Sequence, residues 1–364
     1  MASRGGNMTT SLKGLKVLEL ASVLAGPSVG MFFAELGASV IKVENPRTNG
    51  DVTRGWKLKS ENSEKDYSAY FASVNWGKEH LFIDLKNNEG AEQVRKLAAE
   101  SDIVLSNYRP GQAEAYGLDY KSIKKGNPTV IYGHISGFGE NDDRPAFDVV
   151  LQAESGYMFM NGQPDNEPAK IPVAIIDILA AHQLKEGLLL ALVKKERTGE
   201  GCKVSVSLLD AAVTSLVNQA TNWLMNGHIP QRLGSLHPNI APYGEVLTTA
   251  DQKQIVLAVG TEQQFESLCS VLDLSSLLED SRFIDNQTRV ENRVELKTFL
   301  VQKAKLKSST ELMNQFLEKG IPAGIIKNMQ EVFEMEQAQN SILVDKMSDG
   351  SEAKRVSQIA FKIS

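Results

Sequence analysis

Short runs of branched apolar residues recur through the first half of the chain, each followed by a turn and a stretch of helical period. Residues 15–20 (LKVLEL) read as a buried strand and 22–27 (SVLAGP) as the turn after it. Pro27 suits the first position of a helix that runs to Leu36 and is stopped by Gly37. Residues 40–44 form the next strand, so the opening of the chain predicts a βαβ unit and with it a parallel sheet. Further strands are expected at 81–85, 102–106 and 130–136, with a short amphipathic helix at 91–99. The stretch 171–210 opens with the apolar run IPVAII. Asp177 then stands immediately before Ile178, Leu179, Leu184, Leu188, Leu189 and Leu192, whose mostly three- and four-residue spacing predicts a helix of about four turns. Basic residues in KKERTGEG and Gly199 end that helix, and VSVSLLD follows with a strand pattern.

After Asp210 a single helix is expected over 211–225, and turn residues then crowd 232–243 at the entry to a smaller domain. Two alternating runs, 245–249 and 254–259, flank ADQK and predict a hairpin. Helices are expected at 263–272, 292–306 and 309–319. The pattern is α/β. It predicts a large Rossmann-like domain with a parallel sheet over 8–226, a smaller α+β domain over 227–330, and a segment, 331–364, that returns to the large domain. Residues 1–7 (MASRGGN) read as a flexible leader before a second possible start at Met8.

Composition narrows the class. The chain has 364 residues with 39 basic against 45 acidic side chains, a net charge of −6. A general nucleic-acid binder is expected to carry a basic excess, so nucleic acid is not the expected partner. Cys202 and Cys269 have neither metal-ligand spacing nor a disulfide framework, which points to a reducing cytoplasm. The five histidines are scattered without a zinc motif, and no metal site is expected. No stretch has the length of a transmembrane helix and no signal peptide opens the chain, so no membrane is expected either.

The candidate chemistry lies at strand ends. The turn 22–27 contains no G-x-G-x-x-G, which argues against a dinucleotide site. Asp177 has two readings. It is a helix cap, the commoner role, or it is a reactive carboxylate, since its surroundings are almost wholly apolar. Residues 50–56 (GDVTRGW) read as a polar surface loop with an exposed arginine. Asn107 and Tyr108 follow a strand at the edge where open sheets collect ligands, and Tyr108 is a stacking surface or ordinary packing. Lys86 is a solvated lysine at a strand end unless a ligand claims it.

These pieces together resemble the class III CoA-transferases, the family of formyl-CoA transferase and carnitine CoA-transferase. The resemblance rests on VLEL-ASVLAGP followed by LGASVIKVE, on GDVTRGW, and on Asn107-Tyr108-Arg109-Pro110-Gly111. It also rests on Asp177 before ILAAHQLKEGLLLAL, RTGEG and VSVSLLDA, on HPNIAPY, and on Ile321-Pro322-Ala323-Gly324. It covers residues 12–364, lacks the tail with which most members end, and implies a helix at 332–337 and a last strand at 356–364. It implies that Asp177 is the nucleophile and passes through an aspartyl-CoA thioester. It further implies that Val23, Leu24, Ala25, Ile83, Lys86, Asn107, Tyr108 and Phe147 line the CoA site. Coenzyme A enters as substrate, on an acyl-CoA donor for which succinyl-CoA is common in the family, and leaves on a carboxylic acid acceptor. No permanently bound cofactor is implied, and an interlocked homodimer is. The alternative is an acyl-CoA racemase or isomerase of the same fold. Racemases have a histidine where this chain has Phe147, and its absence removes one partner of a two-base mechanism.

Overall fold

A computed structural model describes residues 11–347 and 350–363. The expected leader, the second start at Met8 and the final Ser364 lie outside those residues. The chain divides into two compact units. Of the described residues, one unit comprises those up to Met158, Lys170–Pro230 and those from Asn340 on, and the other Phe159–Ala169 and Gln231–Gln339.

The first unit is built on six strands: β1 (Lys16–Leu20), β2 (Ser39–Glu44), β3 (Lys78–Phe82), β4 (Ile103–Ser106), β5 (Ile131–Ser136) and β6 (Lys203–Ser207). They lie in the order β3-β2-β1-β4-β5-β6, and every pairing is parallel. Strand order reverses between β1 and β4, so a crevice opens beyond their C-terminal ends, where such sheets bind ligands. The register pairs Val17 with Ile103 and Leu20 with Ser106. The residues that follow each strand therefore emerge side by side at the reversal.

Both faces of the sheet are covered at its centre, which is why β1 and β4 are mostly apolar, while the edge strands β3 and β6 carry more polar residues. Val17 and Val40 share one core with Val29 and Phe33 of the first helix (Ala25–Glu35) and with Ile176, Ala180, Leu184 and Leu188 of the long helix (Ile175–Thr198). Leu18, Leu20 and Val43 point the other way, into a core with Val94, Ala98 and Leu118. Since alternate strand residues share a face, Glu19 and Lys42 point with Val17 and Val40 toward the first helix. The long helix lies close on the sheet: a Cβ at Gly187 would meet Val204 at 2.5 Å, and one at Gly133 would meet Leu188 at 3.2 Å. An antiparallel pair, β10 (Ile342–Lys346) and β11 (Glu352–Val356), completes this unit.

The second unit has an antiparallel sheet of β7 (Tyr243–Thr248), β8 (Gln254–Ala258) and β9 (Ala323–Ile325). Its helices Glu262–Val271, Arg293–Ala304 and Ser309–Glu318 close a core around Phe265, Leu268, Phe283, Leu300 and Phe316.

Several expected boundaries move, each for a physical reason. The long helix begins at Ile175, so Asp177 lies inside its first turn and not before it; the N-cap is Ala174, which has no capping side chain. Strand β3 spans Lys78–Phe82 and not 81–85, because its partner β2 ends opposite Phe82. The LLD of VSVSLLD opens a helix, Leu208–Thr214, since the Ser207 hydroxyl accepts the Asp210 N–H at 2.9 Å. The helix expected over 211–225 is broken into that element and Val217–Asn226; the Thr214 and Ser215 hydroxyls bond back to helix carbonyls at the break. The helix expected at 332–337 is two short ones, Met329–Phe333 and Glu336–Gln339. Residues 357–363 are not a strand. Beyond Val356 the ladder with β10 ends, and the N–H of Gln358 donates instead to the Glu35 carboxylate at 2.9 Å.

Leu188 is fully buried between the sheet and the first helix. Leu188→Ala is expected to lower unfolding free energy by about 2–5 kcal/mol through lost transfer energy and the cavity left behind. Urea titration of the two proteins measures it.

Candidate active site

The long helix presents Asp177 from its first turn, where the helix field favours a negative charge by roughly 0.3–1 kcal/mol. Its capping, however, is done by another residue. Asp148, which opens the helix Asp148–Glu154, accepts the Ile176 N–H at 2.7 Å. Gln152 fixes Asp148 by donating to its other oxygen at 2.6 Å, and also accepts the Ile171 N–H at 2.7 Å. Asp177 is thereby released from capping. It is only 7% exposed, and among the described residues none donates a hydrogen bond to its carboxylate. Burial, and after it the charge of Asp148, push its carboxyl up to about 7. The Tyr70 phenol, half-buried and edge-on to Trp56 at 5.1 Å, is pushed up to about 12 by burial and by Asp177, Asp148 and Asp51. It stays neutral and keeps its O–H donor at physiological pH.

The turn after β1 is held almost entirely by side chains. Lys42 donates to the Ala21 carbonyl at 2.6 Å. Asn107, just beyond β4, accepts the Ser22 N–H at 3.1 Å and donates to the Ser22 carbonyl at 2.9 Å, clasping the two sides of the crevice together. Asp51 accepts the Val23 N–H at 3.1 and 3.3 Å, and Lys78 donates to the Pro27 carbonyl at 2.8 Å. Glu19 joins the two lysines, with ion pairs of 2.8 Å to Lys42 and 2.7 Å to Lys78. Gly26 is needed where the turn folds back, because a Cβ there would fall 2.3 Å from that of Ala21.

The structure thus gathers Val23, Leu24, Ala25 and Asn107 at one place. The Asn107 amide is spent on Ser22, and the Tyr108 ring packs edge-on to Tyr116 at 6.3 Å, against the core. Phe147 is 51% exposed and adjoins Asp148 in sequence. Ile83 and Lys86 lie beyond β3 at the outer side of the sheet; Ile83 is buried and Lys86 is exposed. An open concavity of about 500 Å³ there is lined by Phe82, Ile83, Asp84, Asn87 and Lys96 and does not include Asp177. The GDVTRGW loop is not an exposed one: Asp51, Thr53 and Arg54 are buried, and Arg54 pairs with Glu44 at 2.6 Å and lies 3.9 Å over the Phe71 ring. Asp51, Asp148, Gln152 and Tyr70 were absent from the expected site. A usable signal did exist for the wiring, since Glu19 in VLEL and Lys42 in VIKVE are charges inside otherwise apolar strands.

The Asp177 carboxyl ionises near 3.8 when unfolded and near 7 when folded, so the folded chain holds its proton more tightly. That contribution to stability is fully present below about pH 4 and is lost as pH rises through about 7. Asp177→Asn has no such proton to lose. Its stability relative to wild type is expected to grow between pH 4 and 8, by at most about 4 kcal/mol. Denaturant midpoints at the two ends of that range check this.

Residues 12–364 match the sequence profile of CoA-transferase family III. A succinate–glutarate CoA-transferase of Agrobacterium fabrum is 38% identical over 339 residues, 92% of this chain and 84% of that protein. The succinyl-CoA:glutarate CoA-transferase of Homo sapiens is 35% identical over 94% of this chain and 77% of its own. A crystal structure of a CaiB/BaiF family protein from Brucella suis superposes with a TM-score of 0.84 at 37% identity, covering 98% of this chain and 93% of the other. With its six-stranded parallel sheet, its fold neighbour and a profile match over nearly its whole length, this chain belongs to CoA-transferase family III.

Proposed function

We propose that the protein moves CoA from an acyl-CoA donor to a carboxylic acid through Asp177. The observation that carries this is a buried carboxylate that receives no hydrogen bond among the described residues, relieved of capping by Asp148. A carboxylate so poorly solvated is more reactive than one in water, and covalent exchange splits a hard transfer into easier steps. One Asp177 oxygen attacks the donor thioester carbonyl; the C–S bond breaks, giving an acyl–aspartyl anhydride and CoA thiolate. The thiolate attacks the aspartyl carbonyl, forming the aspartyl-CoA thioester and releasing the donor as its carboxylate. The acceptor carboxylate attacks that thioester to give a second anhydride and the thiolate again. The thiolate then takes the acceptor acyl group and restores Asp177. Protons and electrons balance without a redox group, a metal or a permanently bound cofactor.

CoA is placed along residues 23–25, Asn107, Tyr108 and Phe147, with Ile83 and Lys86 toward its far end. Support comes from the position of the 23–25 turn at the strand-order reversal. Succinyl-CoA with a dicarboxylic acid such as glutarate is the pair we favour, on the names of the two relatives above. The racemase reading is disfavoured by Phe147, which offers no acid or base beside Asp148. We place the protein in the cytoplasm as a homodimer. The dimer is supported by the exposed apolar side chains of the helix Val217–Asn226, where Trp223 is 53% and Leu224 78% exposed.

Asp177→Asn is expected to fold and to lose succinyl-CoA:glutarate exchange by about a thousandfold or more. Hydroxylamine added during turnover of wild type should modify the peptide that holds Asp177. Full exchange in the folded variant, or label on another carboxylate alone, would end this mechanism. Because the reactive form is the carboxylate, kcat/KM is expected to rise with pH through about 7 and then level off; a flat profile from pH 5 to 9 would count against it. Light scattering at micromolar concentration should give a dimer, and a monomer mass would remove that assignment.

A further inference from the structure

Val23 has φ +73°, a left-handed conformation that a β-branched residue rarely adopts. It persists only where the surroundings impose it. Here the imposing group is Asp51, both of whose oxygens lie within 3.3 Å of the Val23 nitrogen. Asp51 is itself over-determined. The Thr53 N–H and hydroxyl donate to Oδ1 at 3.1 and 2.8 Å, Lys42 pairs with Oδ2 at 3.1 Å, and the Asp51 N–H donates to Glu44 at 2.7 Å. Immediately after Val23, the N–H groups of Leu24, Ala25 and Gly26 meet no acceptor among the described residues. A left-handed residue followed by the start of a helix turns such N–H groups to one side.

We infer that Asp51 is a positioning residue for CoA transfer: by holding Val23 left-handed it sets the Leu24 and Ala25 peptide groups against the bound thioester. The role rests on the placement of CoA at residues 23–25. A purely structural Asp51 would serve only as the counter-charge of Lys42, and the two roles separate by coupling. Glycine adopts a left-handed φ without penalty, so the need for Asp51 falls when Val23 is replaced by glycine.

The experiment compares wild type, Asp51→Asn, Val23→Gly and the double variant for CoA affinity by calorimetry and for kcat and KM in exchange. Asp51→Asn is expected to lower kcat/KM about thirtyfold when Val23 is present and about threefold in the Val23→Gly background. Asp51→Glu keeps the charge beside Lys42 but not the reach to the Val23 N–H, and should lose about tenfold in kcat/KM; it serves where Asp51→Asn does not fold. Equal losses in both backgrounds, or full activity in Asp51→Glu, would overturn the role while leaving the mechanism at Asp177 intact. A wild type that binds no CoA would overturn the placement of CoA and this role with it.

Discussion

Glu19, wholly buried between Lys42 and Lys78, is the interaction on which the turn and the edge of the sheet depend. Burial pushes its carboxyl up, but the two ammonium groups overcome that and hold it below its usual range. The lysines fare differently although they share this anion. Lys42 also faces Asp51 and Glu44, and its ammonium is raised in spite of burial. Lys78 is desolvated and also feels Lys42, and is brought down to about 8. Removing one member would strand charges in a space that water does not reach, the costly way to break a buried ion pair. The cluster spans β1, β2 and β3 and reaches carbonyls at both ends of the turn, Ala21 and Pro27. Gly30 makes it possible, since a Cβ there would lie 1.8 Å from a Glu19 oxygen.

Against that wired turn, Asp177 stands out for having no wiring. The first turn of a helix usually finds a use for an acidic side chain in satisfying its free N–H groups. Here Asp148 comes from another helix to satisfy Ile176, and Gln152 keeps it in place. The result is a carboxylate held by its own backbone, in a position set by the core residues Ile176, Ala180 and Leu184, yet with no protein donor on its oxygens among the described residues. The energetic cost of that arrangement is borne by the packing of the long helix on the sheet and the first helix. Sites that carry chemistry commonly show this opposition between local stability and use.

Much of the fold was legible because the central strands of a doubly covered sheet are mostly apolar and their turns carry Gly and Pro. What was missed depended on partners far away in sequence. The start of the long helix moved because Asp148, 28 residues earlier, supplies the cap. The end of β3 moved because β2 ends, and 357–363 left the strand because β10 had no residues left to pair. The loop with Arg54 read as surface because its residues are polar; Arg54 itself is buried because Glu44 and the Phe71 face absorb the guanidinium. At the site, Asp177 was visible as a lone carboxylate in an apolar run. Asp51 was not, because nothing in GDVTRGW reveals that its carboxylate meets the nitrogen of Val23.

Asp51 and Asp177 are the same side chain, almost equally buried, and differ in what surrounds them. Asp51 receives N–H donors from Val23 and Thr53, a hydroxyl and an ammonium, so its lone pairs are occupied and it fixes backbone. Asp177 receives none of these among the described residues, so its lone pairs are left free. Exchanging the two environments would exchange the roles. A carboxylate with four donors makes a poor nucleophile, and one without donors cannot hold a valine in a left-handed turn. The proposed division into nucleophile and positioner is thus supported by the count of donors around each carboxylate.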